Sequence, residues 1–433
     1  MTALQLSNSK PSSVWRAGDT DKPVPVHPNE ALFRPDILDA IERTIEGLDE
    51  QLRALSLEIH GHPELGFEEK HTHDVLTAFI AKHGFQVTEH YLLPTAWRAV
   101  FKHGSGGRTI GVNSEMDALP ALGHACGHNL IAIAGVAVAC ALKAAMEKFD
   151  ISGTVELLGT PAEEGLSGKV KLLELGAYRS MDVCLMCHPA PGPKGSASLS
   201  SCLAVQRISV EYSGHTAHAA LSPHEGINAL DAAVLAYNNI SALRQQLKPD
   251  VRVHGIFEGR DWAVNVIPDN AKYLCYVRAS TRAGQEAALK RVMPSFEAAA
   301  LATGCEVKIT IIGGTYDLRQ NKALGDELAN IMCSRYGTVD YEWGIAGAST
   351  DFGNVSYDMP SLHPGFAIPT VENGGNHTPQ FAEAAATVEA HGACLDISKA
   401  LTMTAVRALL DGTFFAEIKK TFEEDKAERE KTL

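Results

Sequence analysis

Between Pro35 and Leu57 the apolar residues Ile37, Leu38, Ile41, Ile45, Leu48, Leu52 and Leu55 return every three or four positions. That spacing predicts a long amphipathic helix at the start of the folded part. Thr72 to His83 predicts a second helix. Short β-rich runs then alternate with helical ones: Thr109 to Asn113, Thr154 to Leu158, and Val183 to Met186. Strand, loop and helix repeated in this order predict an α/β domain with a mostly parallel sheet. The rhythm changes after Leu203. Val205 to Tyr212 reads as a strand, Gly226 to Gln246 as a helix, Val251 to Phe257 and Lys272 to Ala279 as strands, Gly284 to Thr303 as a helix, and Glu306 to Ile312 as a strand. The order βαββαβ is the ferredoxin-like unit. Because the α/β pattern resumes after Tyr316, this unit reads as an insertion. The expected division is a flexible leader over 1–35, a first catalytic part over 36–203, an inserted domain over 204–315, and a second catalytic part with a polar tail over 316–433.

Composition narrows the class. A chain of 433 residues exceeds one core, so two domains are expected. A net charge of −14 leaves no basic excess for phosphates, which argues against nucleic acid as a partner. Nine cysteines, odd in number and mostly inside apolar runs, suit reduced thiols and a cytoplasmic setting. No run is read as a membrane span; Leu130 to Met146 is the nearest, Ala-rich and flanked by Asn129 and Lys148.

The chemistry concentrates in His124-Ala125-Cys126-Gly127-His128-Asn129, directly ahead of that Ala-rich run. Two residues apart in an extended lead-in, Cys126 and His128 would point to the same side. A thiolate and an imidazole held together form half of a zinc site. Alone the pair is weak, since a buried Cys is usually a small hydrophobe. Residues further along the chain strengthen it: Pro161-Ala162-Glu163-Glu164, His188-Pro189 and His377-Thr378-Pro379 supply more divalent-metal donors. Those before residue 200 fall after strand-like runs, where ligands gather in parallel sheets.

In sequence the chain resembles the zinc amidohydrolases of metallopeptidase clan MH, the aminoacylase and carboxypeptidase G group. The motifs that carry the resemblance run in order: His62-Pro63-Glu64-Leu65-Gly66-Phe67-Glu68-Glu69, Glu115-Met116-Asp117-Ala118-Leu119-Pro120, Ala125-Cys126-Gly127-His128, Pro161-Ala162-Glu163-Glu164, His188-Pro189, Ala217-His218-Ala219, Asn265-Val266-Ile267-Pro268 and His377-Thr378-Pro379. Within the group it is most similar to the branch of auxin-conjugate, hippurate and aminobenzoyl-glutamate hydrolases and β-alanyl-dipeptidase-like members. The resemblance covers residues 36 to 410. One departure concerns the residues after Cys-Gly-His, where Asn129, Leu130 and Ile131 stand in place of a further His that close relatives often carry.

The resemblance implies that Cys126, His128, Glu164, His188 and His377 bind metal. Five ligands exceed one catalytic zinc that keeps an open position, so two divalent ions are expected, zinc first, with Mn or Co as substitutes. Cys126 would bridge them. Glu163 is assigned as general base and later general acid, on the argument that adjacent Glu residues cannot easily face the same ion. His218 would stabilise the oxyanion, assisted by Asn265, and Arg278 would grip a substrate carboxylate. Asp117 and Asp351 would orient His128 or His377 from behind. Glu115 takes the place of a metal-binding His found outside the branch, while His124 and His363 read as ordinary loop histidines. The expected activity is cleavage of the amide bond of an N-acyl amino acid or small dipeptide by a metal-activated water. The same site could run amide formation or acyl transfer, or belong to a silent ligand-binding relative. A homodimer through the inserted domain is expected, with small-molecule substrates and neither nucleic acid nor membrane as partners.

Overall fold

The computed structural model describes residues 31–431, so nearly all of the expected leader lies outside the described residues. The chain forms two compact units. The first ends at Cys202 and resumes at Leu318; the second is Leu203–Asp317.

The first unit begins with α1 (Pro35–Gly61) and α2 (Lys70–Lys82), then β1 (Gln86–Thr88), β2 (Trp97–His103), β3 (Arg108–Glu115), α3 (His128–Phe149) and β4 (Gly153–Thr160). Two short helices, α4 (Glu163–Leu166) and α5 (Gly168–Glu174), precede β5 (Val183–Leu185), β6 (His188–Pro191) and β7 (Ser196–Ser198). The second unit holds β8 (Ala204–Ser213), α6 (Ala229–Leu243), β9 (Arg252–Glu258), β10 (Asn270–Ala279), α7 (Arg282–Thr303) and β11 (Glu306–Thr315). The first unit then closes with α8 (Lys322–Arg335), β12 (Thr338–Asp340), α9 (Phe352–Asp358), β13 (Ser361–Leu362), β14 (Gly365–Ile368), α10 (Pro379–Ala385), α11 (Val388–Leu410) and α12 (Gly412–Glu430).

The main sheet runs β1-β2-β4-β3-β5-β13, and its β4, β3, β5 and β13 are mutually parallel. A smaller sheet, β12-β7-β14-β6, lies in the same unit. The predicted apolar stripe of α1 is buried at Ile37, Leu38, Ile41, Ile45, Leu52 and Leu55. Each such side chain contributes about 1.5–3 kcal/mol when fully removed from water.

Helix α3 corrects the reading that no segment could span a bilayer. Over 22 residues it has the length and composition to do so. Its apolar surface instead meets α1, α11 and β3, and nearly all of it is buried in the core. A helix surrounded by protein on every side needs no polar face.

The second unit is a four-stranded antiparallel sheet, β11-β8-β10-β9. Its inward rows, including Ile208, Val210, Tyr273, Cys275 and Val277, form one core with Ala232, Ala236 and Ile240 of α6 and Val292 and Phe296 of α7. This is the ferredoxin-like order that the alternation predicts.

In the first unit the parallel strands β3, β4 and β5 end on the same edge, and α3 starts there. The depth of α3 against β3 is fixed at Gly135, where an added Cβ would lie 2.2 Å from Ser114 Oγ and 2.8 Å from the Asn113 carbonyl oxygen. Replacing Gly135 by Ala must therefore push α3 outward, and with it His128 at its first turn. We predict a loss of about 1–3 kcal/mol in urea unfolding for Gly135→Ala, the usual cost of overpacking.

Candidate metal centre

Most of the donors enter the site from a strand end or a helix start. Glu115 is the last residue of β3 and Asp117 comes just after it; Glu163 and Glu164 come after β4; His188 comes after β5; His128 opens α3. His377 comes from the connection between β14 and α10, and its N–H donates to the Ala125 carbonyl at 2.8 Å. That bond fastens the distant segment to the Cys126 turn.

The lead-in is not extended as expected. Gly127 stands at φ 78° between Cys126 and His128, so the chain turns sharply into the helix. A Cβ at Gly127 would approach Pro189 Cγ to 2.5 Å, beside His188. The turn itself, not strand alternation, brings thiol and imidazole together. Ala162 also adopts a left-handed φ of 58°, and its N–H donates to Glu69 Oε1 at 2.8 Å. Buried Glu69, further held by Thr95 Oγ1 at 2.6 Å, is a support that the sequence reading did not single out.

The five expected ligands converge. Donor atoms of Cys126, His128 and His188 lie within 4.8 Å of one another, as do those of Cys126, Glu164 and His377. His188 Nε2 is 3.5 Å from Cys126 Sγ, and His377 Nε2 is 3.1 Å from Glu164 Oε1. His188 Nδ1 lies 2.8 Å from the Pro189 carbonyl, which makes Nδ1 the protonated nitrogen and leaves Nε2 its lone pair.

Glu163 and Glu164, expected not to face the same ion easily, lie close together. His128, Glu163 and Glu164 also offer donors within 4.8 Å. Glu164 leaves the helical region at ψ 79°, which lets both carboxylates turn the same way.

Asp117 lies behind His128, with Oδ1 at 3.3 Å from Nδ1, and its Oδ2 accepts the Glu164 N–H at 2.8 Å. Asp351 does not take up the expected place behind His128 or His377. Its two oxygens accept from Lys169, Oδ1 from the ammonium at 2.6 Å and Oδ2 from the backbone N–H at 2.8 Å. Lys169 is wholly buried and also bonds Glu115 Oε1 at 2.6 Å.

His124 and His363 are not ordinary loop residues either. Both are 1% exposed, and no ring nitrogen of either has a hydrogen-bond partner. The His363 ring lies 5.9 Å from that of His188. No periodicity marks them, because they are buried by tertiary packing of loops.

In the second unit, exposed His218 accepts the Ala220 and Leu221 N–H groups at Nδ1, both at 3.2 Å. Its neutral ring therefore carries the proton on Nε2 as a donor. The His218 segment bridges Val266, and Ala219 N–H donates to the Asn265 carbonyl at 3.0 Å, so His218 and Asn265 stand on adjoining segments. Arg278 Nε donates to His254 Nε2 at 3.2 Å, with its guanidinium over Tyr276.

Electrostatics favour cations at the first unit's site. Burial, together with Glu164 and Glu115, raises Glu163 well above the carboxylate range. Burial and the Glu164 charge push the Cys126 thiol up. Glu115 goes the other way: burial opposes its charge, but Lys169 and His128 outweigh that and hold it at about 2. Glu164 Oε1, Asp117 Oδ1, Glu115 Oε2 and both His128 nitrogens are buried without a hydrogen bond. These atoms face one another and His377 at 3.1–4.0 Å instead. Divalent ions bound here would engage Glu164 and His128 and stabilise the thiolate, so the residues fit them. A further group, Glu58, His62 and His71, is largely exposed and internally paired, with His71 Nε2 at 2.9 Å from Glu58 Oε1.

The fold and donor set define a metal-dependent hydrolase. The profile of Peptidase family M20/M25/M40 matches residues 111–394. An Xaa-Arg dipeptidase from Mus musculus is 41% identical over 88% of this chain and 91% of its own length. A p-aminobenzoyl-glutamate hydrolase component from Escherichia coli is 28% identical over 87% of this chain and 93% of its own length. Among solved structures, a dinuclear metal-binding family M20 peptidase from Bacillus subtilis shares the fold, with a TM-score of 0.65 and 21% identity over 84% of this chain and 99% of that one. The chain belongs to Peptidase family M20/M25/M40 and hydrolyses amide C–N bonds with the help of bound metal.

The geometry yields two expected outcomes. Removal of metal by a chelator should lower the unfolding temperature and abolish turnover, and a divalent transition ion should restore both. The second concerns His124, which burial and neighbouring His128 hold at about 3. The unfolded chain has an ordinary His near 6.5 and binds one more proton between those values, so stability falls as pH drops through that window. His124→Leu should lose less stability than the wild type between pH 7 and pH 5 in urea titrations.

Proposed function

We propose that this chain cleaves small dipeptides or N-acyl amino acids, with dipeptides ending in a basic residue as the foremost substrates. The carrying observation is the position of Glu163 beside the converging ligands, with a carboxylate oxygen within 4.8 Å of the His128 and Glu164 donors. Support for the basic substrate comes from the Xaa-Arg dipeptidase relatives and from a net charge of −14, which attracts cations.

Two divalent ions, zinc first, would be held by Cys126, His128, Glu164, His188 and His377, Cys126 being common to two of the donor groups. When bound, they polarise the scissile carbonyl and make water more acidic. Glu163 takes the proton of the attacking water and passes it to the nitrogen of the departing amine, so that one water is consumed and a carboxylate and an amine are released. His218 Nε2–H would donate to the developing oxyanion, with Asn265 beside it, and Arg278 would bind a carboxylate of the substrate. The inserted unit would form a dimer contact. Nine free cysteines across the chain support a reducing, cytoplasmic setting.

Turnover of a dipeptide panel tests the substrate class; Xaa-Arg and Xaa-Lys peptides should exceed acidic ones in kcat/KM. Glu163→Gln should lower kcat by about 10²–10⁴-fold while metal content stays unchanged. Retained turnover would remove Glu163 from the reaction.

A further inference from the structure

The buried ammonium of Lys169 has no part in the reaction described so far. Its Nζ lies 2.6 Å from Glu115 Oε1 and 2.6 Å from Asp351 Oδ1, with all three side chains fully buried. It ties together three elements, since Glu115 ends β3, Lys169 lies in α5 and Asp351 immediately precedes α9. The two Glu115 oxygens have different surroundings. Oε1 is held by Lys169, whereas Oε2 faces His128 Nε2 at 3.3 Å and has no hydrogen bond. His128 Nε2 is also 4.0 Å from Glu164 Oε1, so Glu115 looks onto the same place as the expected ligands.

A free carboxylate beside divalent cations is ordinarily a ligand. A carboxylate locked to an ammonium by a short charge-assisted bond has one oxygen withdrawn and its charge compensated. We propose that Lys169 is a positioning residue that holds Glu115 beside the metal centre without letting it become a ligand. The open coordination needed for water and substrate is thereby preserved. This rests on the reading of Cys126, His128, Glu164, His188 and His377 as ligands.

The test uses the full chain loaded with Co²⁺, read by the thiolate-to-cobalt band of Cys126 and by visible d–d absorption, whose intensity falls as coordination number rises. Wild-type protein should show both. Absence of the thiolate band would overturn the ligand reading and this inference with it. With the band present, the inference stands or falls on its own. Glu115→Gln leaves the Lys169–Asp351 pair intact and should preserve the wild-type spectrum; a changed spectrum would make Glu115 a ligand and overturn the proposal. Lys169→Met strands two buried carboxylates and is strongly destabilising. The variant K169M/D351N removes one charge of each sign and leaves Glu115 unanchored. It should keep the thiolate band, weaken d–d absorption, and lower kcat by about 10–100-fold with KM little changed. Adding E115Q to that variant should restore the d–d intensity. An unaltered spectrum in the double variant, or no recovery with E115Q, would leave Lys169 a structural ion pair only.

Discussion

Negative charge buried at one edge of a sheet is the constraint on which the first unit depends. Glu115, Asp117, Glu163, Glu164 and Asp351 gather there, and the Lys169 ammonium pairs with two of them, Glu115 and Asp351. Ionised carboxylates out of water need partners, or they take up protons. Raised Glu163 and depressed Glu115 are two answers to the same crowding. Divalent cations held among these groups would supply the remaining compensation, so that the site for the chemistry would also complete the fold.

Backbone conformations that few residues tolerate hold this arrangement. Gly127 turns the chain into α3, and the close approach of Pro189 leaves no room for a side chain. Ala162 and His377 are left-handed without being glycine, at φ 58° and 68°. Such positions persist where surrounding bonds dictate them. Glu69 holds the first and the Ala125 carbonyl the second. Left-handed backbone thus occurs at the turns that present Glu163, Glu164 and His377, as it does in several other loops of the chain.

Much of this was legible in the sequence, for reasons that differ by element. The stripe of α1 and the βαββαβ order of the second unit arise from periodicity, which burial on one face imposes. The residues that converge as metal donors carry chemistry seldom left in apolar turns by chance, and they stand after strand-like runs. Lys169 was hidden because Gly168-Lys169-Val170-Lys171 looks like a solvated helix start; only tertiary structure shows that Lys169 turns inward while Lys171 stays exposed. His124 and His363 were hidden likewise, since no local pattern marks a loop that other loops will cover. Asp351 was assigned to the right neighbourhood with the wrong partner, because sequence separation carries no information about which of several carboxylates meets a given side chain. The close approach of Glu163 and Glu164 has no sequence signal, because it comes with non-helical backbone at Glu164 and Gly165.

The most direct test of the central claim is an anomalous-difference map from crystals of the metal-loaded protein. The account predicts two neighbouring peaks about 3.5–4 Å apart, within bonding distance of Cys126 Sγ, Glu164 and the rings of His128, His188 and His377. A map with no peak among these donors, or with density only at the exposed Glu58, His62 and His71 group, would contradict it.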